Sequence, residues 1–334
     1  MSTKHVFDDA TGLVEKACLG VASTNPDLRF FAHHKVLYNA AHPRDKVAIL
    51  AGGGAGHEPA FSGLVGSGLV TVAVSGDVFA SPSSKQICSG VDLAPTDKGI
   101  VTIVLNYTGD CLNFGLASEK ARSAFLSEGK GRDIEMVNVG DDVSVGRSKG
   151  GLVGRRGLTG AAFTAKVLGA ASEKGDDVQK IAHLGRTMVK NFVTVGSSLD
   201  HCHVPGRSTD PKERGALSQS AVEIGMGIHN EPGAKHIENK PSGEDLIKEM
   251  LELLLREDDP ERSFVKFNKD DDPVLIINNL GGMSSIELGA IAAEARTQIE
   301  RDWNLRLSRV YCGTYVTSLN APGFNISLLN HKRV

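Results

Sequence analysis

A histidine closing an apolar, glycine-spaced run is the residue whose type and place most invite chemistry. His229 follows Ile224, Gly225, Met226, Gly227 and Ile228 and precedes the polar turn Asn230-Glu231-Pro232-Gly233. That order predicts an imidazole at the mouth of a strand. A neutral imidazole keeps a lone pair on one ring nitrogen, so it can act as nucleophile or base near neutral pH. A glycine-rich block, Gly52-Gly53-Gly54-Ala55-Gly56-His57-Glu58-Pro59, supplies a second histidine, and Asn106-Tyr107-Thr108-Gly109-Asp110 supplies a carboxylate. Taken singly, each block also has a plain structural reading: a hydrogen-bonding histidine, a tight strand-to-helix turn, and an N-cap for the helix that Asp110 would open. The three together point further, because strand ends on one edge of an α/β sheet open into one crevice.

The glycine block brings backbone N–H groups close to an oxygen-rich ligand, since glycine presents no Cβ. It is not a dinucleotide fingerprint, because counting GxGxxG from Gly52 lands on His57. Nor is it a Walker A loop, because no GK[ST] follows. Four further groups invite simpler readings. The Asp141-Asp142 pair lacks a third metal ligand at readable spacing and is expected to be a solvated turn. In His201-Cys202-His203, neighbouring side chains of an extended segment point to opposite faces, which argues against zinc. His33-His34 is expected at the surface. Arg147, Arg155 and Arg156 flank Gly150-Gly151-Leu152-Val153-Gly154, a stretch that could bind phosphate at a helix N-terminus; solvated charges on a turn are the commoner explanation.

Strand-loop-helix units must position these residues. Short apolar runs at 46–50, 70–74, 100–105, 134–139 and 273–277 each end in a glycine-, asparagine- or aspartate-bearing loop. Nearly continuous apolar runs are expected of strands buried on both faces. Helical spacing recurs over 114–125, 158–171, 243–256 and 285–303, the last opened by Ser284 and Glu287 at capping-box spacing. The alternation predicts an α/β fold in two lobes, each a largely parallel or mixed sheet flanked by helices. The boundary is expected at the polar segment 198–215. Residues 1–197 would then form an N-terminal lobe with the glycine-rich loop, and 198–334 a C-terminal lobe carrying His229. The charged stretch 256–272 reads as a surface connection.

Composition narrows the class. A net charge of −3 gives neither a nucleic-acid footprint nor a basic membrane-binding patch. No apolar run is long enough to span a bilayer, and MSTKHVFDDATG lacks the apolar core of a signal peptide. Five cysteines without a CxxC are reduced, intracellular usage, so a cytoplasmic protein is expected. The chain stops abruptly after an apolar, strand-like stretch, which leads us to expect further sequence.

Eight blocks in order, GGGAGHEP, VFASPSSKQI, NYTGDCLNFG, VGDDVSVGR, GRRGLTG, SSLDHCHVPG, EIGMGIHNEPG and VLIINNLGGMSS, run along almost the whole chain. Together they resemble the substrate-binding K domain of dihydroxyacetone kinases of the ATP-dependent, fungal type. The resemblance implies a K domain that holds dihydroxyacetone as a hemiaminal, a histidine nitrogen having added to the ketone carbon. His229 matches that histidine. Gly54, Ala55, Gly56, His57 and Ser81 match residues lining the substrate, and His57 with Asp110 matches the acid/base pair. No metal site is implied in this chain. The resemblance also implies a homodimer and a separate L domain, in cis or in trans, that binds Mg-ATP and is absent from these residues. Two positions depart from the family pattern: Ala55 replaces the usual serine, and Leu105 replaces the lysine that usually precedes NYTGD and contacts the substrate. The second departure opens the choice to another short keto sugar or an aldehyde. A ligand-sensing protein acting on a regulatory partner is the alternative the resemblance allows.

Overall fold

The computed structural model describes residues 3–129, 131–150 and 154–334. In chain order the elements are α1 (Leu13–Ser23), β1 (Leu28–Phe31), β2 (Val36–Asn39), β3 (Ala48–Ala55), β4 (Val72–Val78), α2 (Ser84–Leu93), β5 (Ile100–Leu105), α3 (Thr108–Glu128), β6 (Ile134–Val139), α4 (Gly160–Glu173) and α5 (Val178–Lys190). There follow β7 (Phe192–Ser198), β8 (Val222–Ile224), β9 (Lys235–Ile237), α6 (Gly243–Leu255), β10 (Val274–Asn279), α7 (Ser285–Asp302), β11 (Arg309–Gly313) and β12 (Gly323–Leu329). They form a mixed α/β protein with two six-stranded sheets.

Two compact units divide the chain. The glycine-loop unit comprises Asp9–Val139 and Ala161–Arg186; the histidine-loop unit comprises Met1–Asp8, Gly140–Gly160 and Thr187–Val334. The boundary expected at 197/198 falls inside β7, where Ser197 and Ser198 pair with Phe324 and Gly323 of β12. The polar segment 198–215 joins two parts of the same unit rather than two units. Polarity marked a loop correctly, but a loop's composition does not say which elements it connects.

In the glycine-loop unit the strand order is β1-β2-β4-β3-β5-β6. The pairs β4–β3, β3–β5 and β5–β6 are parallel, and the β1–β2 and β2–β4 pairs are antiparallel. All six residues of β5 are buried, as its unbroken apolar run required. Leu50, Val74, Ile87, Ile100, Val104 and Phe114 belong to one core between sheet and helices. A buried side chain of this size stabilises by roughly 1.5–3 kcal/mol. The chain runs from β3 to β4 on one side, then crosses to β5 on the other. The carboxyl end of β3 is therefore a topological switch point, where open α/β sheets place their ligands.

In the histidine-loop unit the order is β11-β10-β12-β7-β8-β9. Only β10–β11, bridged by α7, is parallel; the other pairs are antiparallel. The sheet is thus mixed, which a continuous apolar run does not forbid, since such a run reports burial on both faces and not strand direction. Helix α6 buries Leu246, Ile247, Met250, Leu251, Leu254 and Leu255, the spacing of one broad apolar face. The Ser242 side chain caps it by accepting from the Asp245 N–H at 3.1 Å. The Ser284 hydroxyl likewise accepts from the Glu287 N–H at the start of α7.

Candidate functional site

The glycine-loop unit brings most of the expected residues to the carboxyl ends of three parallel strands. Gly54 and Ala55 end β3, and Gly56 turns the chain with a φ of 99°, a conformation that side-chain-bearing residues rarely adopt. His57 follows, 2% exposed, its ring stacked on Phe79 with centroids 5.3 Å apart and planes 16° from parallel. Phe79 closes the turn after β4, and its N–H donates to the Ala55 carbonyl at 2.9 Å. Ser81 lies two residues further. A Cβ on Gly109 would sit 2.8 Å from the Ser81 hydroxyl oxygen, so the NYTGD turn and the Ser81 loop touch. A Cβ on Gly53 would lie 3.7 Å from an Asp110 carboxylate oxygen. Thus Gly53, Ser81, Gly109 and Asp110 gather at one sheet edge.

Asp110 is not an N-cap. Helix α3 starts at Thr108 with Tyr107 as its cap, and Asp110 stands in the first turn, 5% exposed. A carboxylate there still benefits from the positive end of the helix dipole. Leu105, the last residue of β5, is 2% exposed and is part of the packed sheet.

The histidine-loop unit holds His229 outside any strand. β8 stops at Ile224 because Gly225 takes a φ of 82°. The chain then turns, with the Gly227 N–H donating to the Glu231 carbonyl at 2.9 Å and the Asn230 N–H to the Gly227 carbonyl at 3.2 Å. Asn230 carries a φ of 63°, which asparagine tolerates better than most residues. Its side chain accepts from the Cys202 N–H at 3.0 Å, and the Ser318 hydroxyl donates to the Ile228 carbonyl at 2.6 Å. The loop is therefore anchored on both flanks of the histidine.

Glu231 is the residue sequence reading passed over as part of a turn. Its carboxylate faces His229 Nδ1 at 2.9 Å and accepts from the His229 N–H at 2.9 Å. Burial of this carboxylate raises its pKa, but hydrogen bonding to His229 and the charge of that ring outweigh burial and bring it down to about 2. An ionised carboxylate at Nδ1 favours the tautomer with the proton there, which leaves the lone pair on Nε2. The i,i+2 spacing of His229 and Glu231 around a proline-containing turn was the available signal.

Several simpler expectations change. Asp141 and Asp142 are not a solvated turn: both are fully buried. Asp141 accepts from the N–H groups of Leu158 at 2.7 Å and Gly160 at 2.9 Å and from the Thr194 hydroxyl at 2.5 Å. This carboxylate thereby takes the place at the entry to α4 that a phosphate would occupy. Residues 151–153 of the adjoining glycine stretch lie outside the described residues. Arg155 stacks over Phe264, 4.1 Å from the ring centroid, and Arg156 pairs with Asp142 at 2.7 Å, so neither is a merely solvated charge. His203 pairs with His5 at 2.8 Å, and His201 Nδ1 faces the Arg214 carbonyl at 3.2 Å. His33 is exposed, and His34 meets the Ser89 hydroxyl at 2.5 Å. Among the described residues, no three or more histidine, cysteine, aspartate or glutamate side chains are grouped to hold a metal ion. No helix of the described residues is long and apolar enough to cross a membrane.

Known proteins resemble this chain in sequence and in fold. The chain is 44% identical over 343 aligned residues to a dihydroxyacetone kinase of Pichia angusta, covering 100% of this chain and 55% of that protein. It thus spans about half the length of the curated relatives it matches. The crystal structure of the dihydroxyacetone kinase from C. freundii, in complex with AMP-PNP and Mg2+, superposes with a TM-score of 0.83 at 30% identity, covering 98% of this chain and 57% of that one. A dihydroxyacetone kinase operon co-activator, DhaQ, superposes with a TM-score of 0.81 at 26% identity, covering 94% of this chain and 91% of that one. The family profile described as the Dak1 domain matches residues 19–333, and the chain belongs to that family.

Proposed function

We propose that this chain is the substrate-binding part of an ATP-dependent dihydroxyacetone kinase, holding the ketose as a hemiaminal on His229. The observation that carries the reading is the His229–Glu231 pair, which directs the Nε2 lone pair away from the carboxylate. In the capture step that lone pair adds to the ketone carbon, and the carbonyl π electrons move to oxygen, which takes a proton. Solvent supplies that proton and takes up the Nδ1 proton of the ring, so that the hemiaminal is neutral and Glu231 stays ionised throughout. A carbonyl can be captured this way and a simple polyol cannot, so selection between them does not rest on size. His57 and Asp110 are assigned the acid/base work on the substrate alcohols, and Gly54, Ala55, Gly56 and Ser81 its lining. Such proton transfer contributes roughly a hundred- to ten-thousand-fold in rate. Mg-ATP belongs to an L domain, supplied in cis or in trans, which donates the phosphoryl group to give dihydroxyacetone phosphate. Leu105, in place of a lysine, admits glyceraldehyde or erythrulose as competing substrates. A cytoplasmic homodimer serving glycerol metabolism completes the reading.

Intact-protein mass spectrometry after cold incubation with dihydroxyacetone tests the central step. We expect wild type to gain the mass of one ketose and His229→Ala to gain none. An unmodified wild-type protein overturns the reading. The same run with glyceraldehyde and erythrulose measures selectivity. Adding an L domain and Mg-ATP then separates two activities: turnover supports the kinase. Covalent capture with no turnover favours a ligand sensor, the role suggested by the likeness to the operon co-activator over 91% of that chain.

A further inference from the structure

Arg156 makes hydrogen bonds both to a buried carboxylate and to the start of the loop that carries His229. Its Nε donates to one Asp142 oxygen at 2.8 Å, and Nη2 stands in ion-pair contact with the same oxygen at 2.7 Å. Nη2 also donates to the Ser144 hydroxyl at 3.0 Å and to the Gly225 carbonyl at 2.6 Å. The other Asp142 oxygen accepts from the Ser144 hydroxyl at 2.5 Å and the Ser144 N–H at 2.9 Å, which fixes the carboxylate's orientation. The Asp142 side chain is 0% exposed and that of Arg156 15%. Gly225 is the point where β8 ends and the histidine loop departs. Further along, a Cβ on Gly227 would fall 2.6 Å from Arg156 Nη1 and 1.9 Å from Glu231 Oε2. The guanidinium and the Glu231 carboxylate therefore pack against the same glycine face, one residue-pair away from the imidazole.

The geometry points to Arg156, oriented by Asp142 and Ser144, as the positioning residue that sets the His229–Glu231 pair for addition to a carbonyl; this rests on the covalent reading above. A buried ion pair gives little net stability against apolar replacements, and fixing geometry is one use such pairs serve. Only a planar fork spans these acceptors. Lysine keeps the charge but presents a point donor that cannot satisfy Asp142, Ser144 and Gly225 in this arrangement.

The test compares Arg156→Lys with Arg155→Lys, whose side chain stacks on Phe264, in the full chain. Three readouts are the urea unfolding curve, the ¹⁵N signals of the His229 ring without substrate, and the rate of ketose adduct formation. We expect Arg156→Lys to unfold cooperatively, to lose the single Nδ1-protonated signature of His229, and to form adduct at least ten-fold more slowly. Arg155→Lys should retain the wild-type ring signals and rate. A folded Arg156→Lys with unchanged ring signals and rate overturns the proposal. Should that variant fail to fold, Ser144→Ala removes one anchor of the same fork and is expected to slow adduct formation about three-fold and shift the ring signals; no change in either is equally fatal. If wild type forms no adduct, covalent capture is wrong, yet the ring signals of Arg156→Lys and Ser144→Ala still decide whether Arg156 positions His229.

Discussion

Glu231 grips His229 twice, its two carboxylate oxygens meeting the backbone N–H and ring Nδ1 at 2.9 Å each. The pKa of about 2 lies below the ordinary glutamate value of 4.5, so the folded state favours the ionised form. A depressed carboxylate adds stability that is present above about pH 4.5 and is lost as pH falls through about 2. With its side chain 34% exposed, solvent screening reduces the effect to roughly 1 kcal/mol. Glu231→Gln should therefore be less stable than wild type near neutrality. The gap in urea unfolding free energy should narrow as pH drops below about 4.5. A constant gap across that range contradicts the assignment.

Gly227 leaves no room for a methyl group. A Cβ would lie 1.9 Å from Glu231 Oε2 and 2.6 Å from Arg156 Nη1, so Gly227→Ala must displace one or both. The expected cost is about 1–3 kcal/mol, typical of overpacking. Thermal unfolding measures it, and the ¹⁵N signals of His229 should move with it. Wild-type stability together with wild-type ring signals would show that the loop relaxes freely.

Ser81 and Gly109 should couple. The clash introduced by Gly109→Ala is with the Ser81 hydroxyl at 2.8 Å, whereas the Ser81 Cβ stands 3.4 Å away. Gly109→Ala alone should destabilise, and adding Ser81→Ala should recover part of the loss. A double-mutant cycle in urea is expected to give an interaction of about 0.5–2 kcal/mol. Strict additivity would mean the two loops are not in contact in solution.

Asp141 serves as an internal anchor. Truncation by Asp141→Ala strips the acceptor from the Leu158 and Gly160 N–H groups and the Thr194 hydroxyl. Burial raises the pKa of Asp141, opposed by these same donors. Losing the acceptor should cost about 2–4 kcal/mol. Equilibrium unfolding decides the point: unchanged stability would remove the anchoring role.

Much of the scaffold could be read from pattern. The runs at 100–105 and 134–139 are β5 and β6 to the residue, and the helix opened by Ser284 is α7. These succeed because strands buried on both faces and helices with a serine cap leave strong local signatures. Strand direction in the second sheet left no such mark, since antiparallel β12 and β7 are as fully buried as parallel β5. Asp141, Asp142 and Arg156 were misjudged for a related reason. Charge type in a glycine-rich stretch looks like solvent exposure, and only tertiary packing reveals the carboxylate–amide and carboxylate–guanidinium bonds that compensate burial. Glu231 was visible as a residue but not as a partner, because the tight turn that folds it back onto His229 depends on the φ of Asn230 and on anchors from Cys202 and Ser318, far away in the chain.

The interleaved division of the chain bears on how it is made. The glycine-loop unit is complete once Arg186 has left the ribosome, whereas the other unit must wait for β12, Gly323–Leu329. Segments tend to fold as they emerge. Until β12 pairs with β7, the unit that takes in Gly140–Gly160 and its buried aspartates cannot close its sheet.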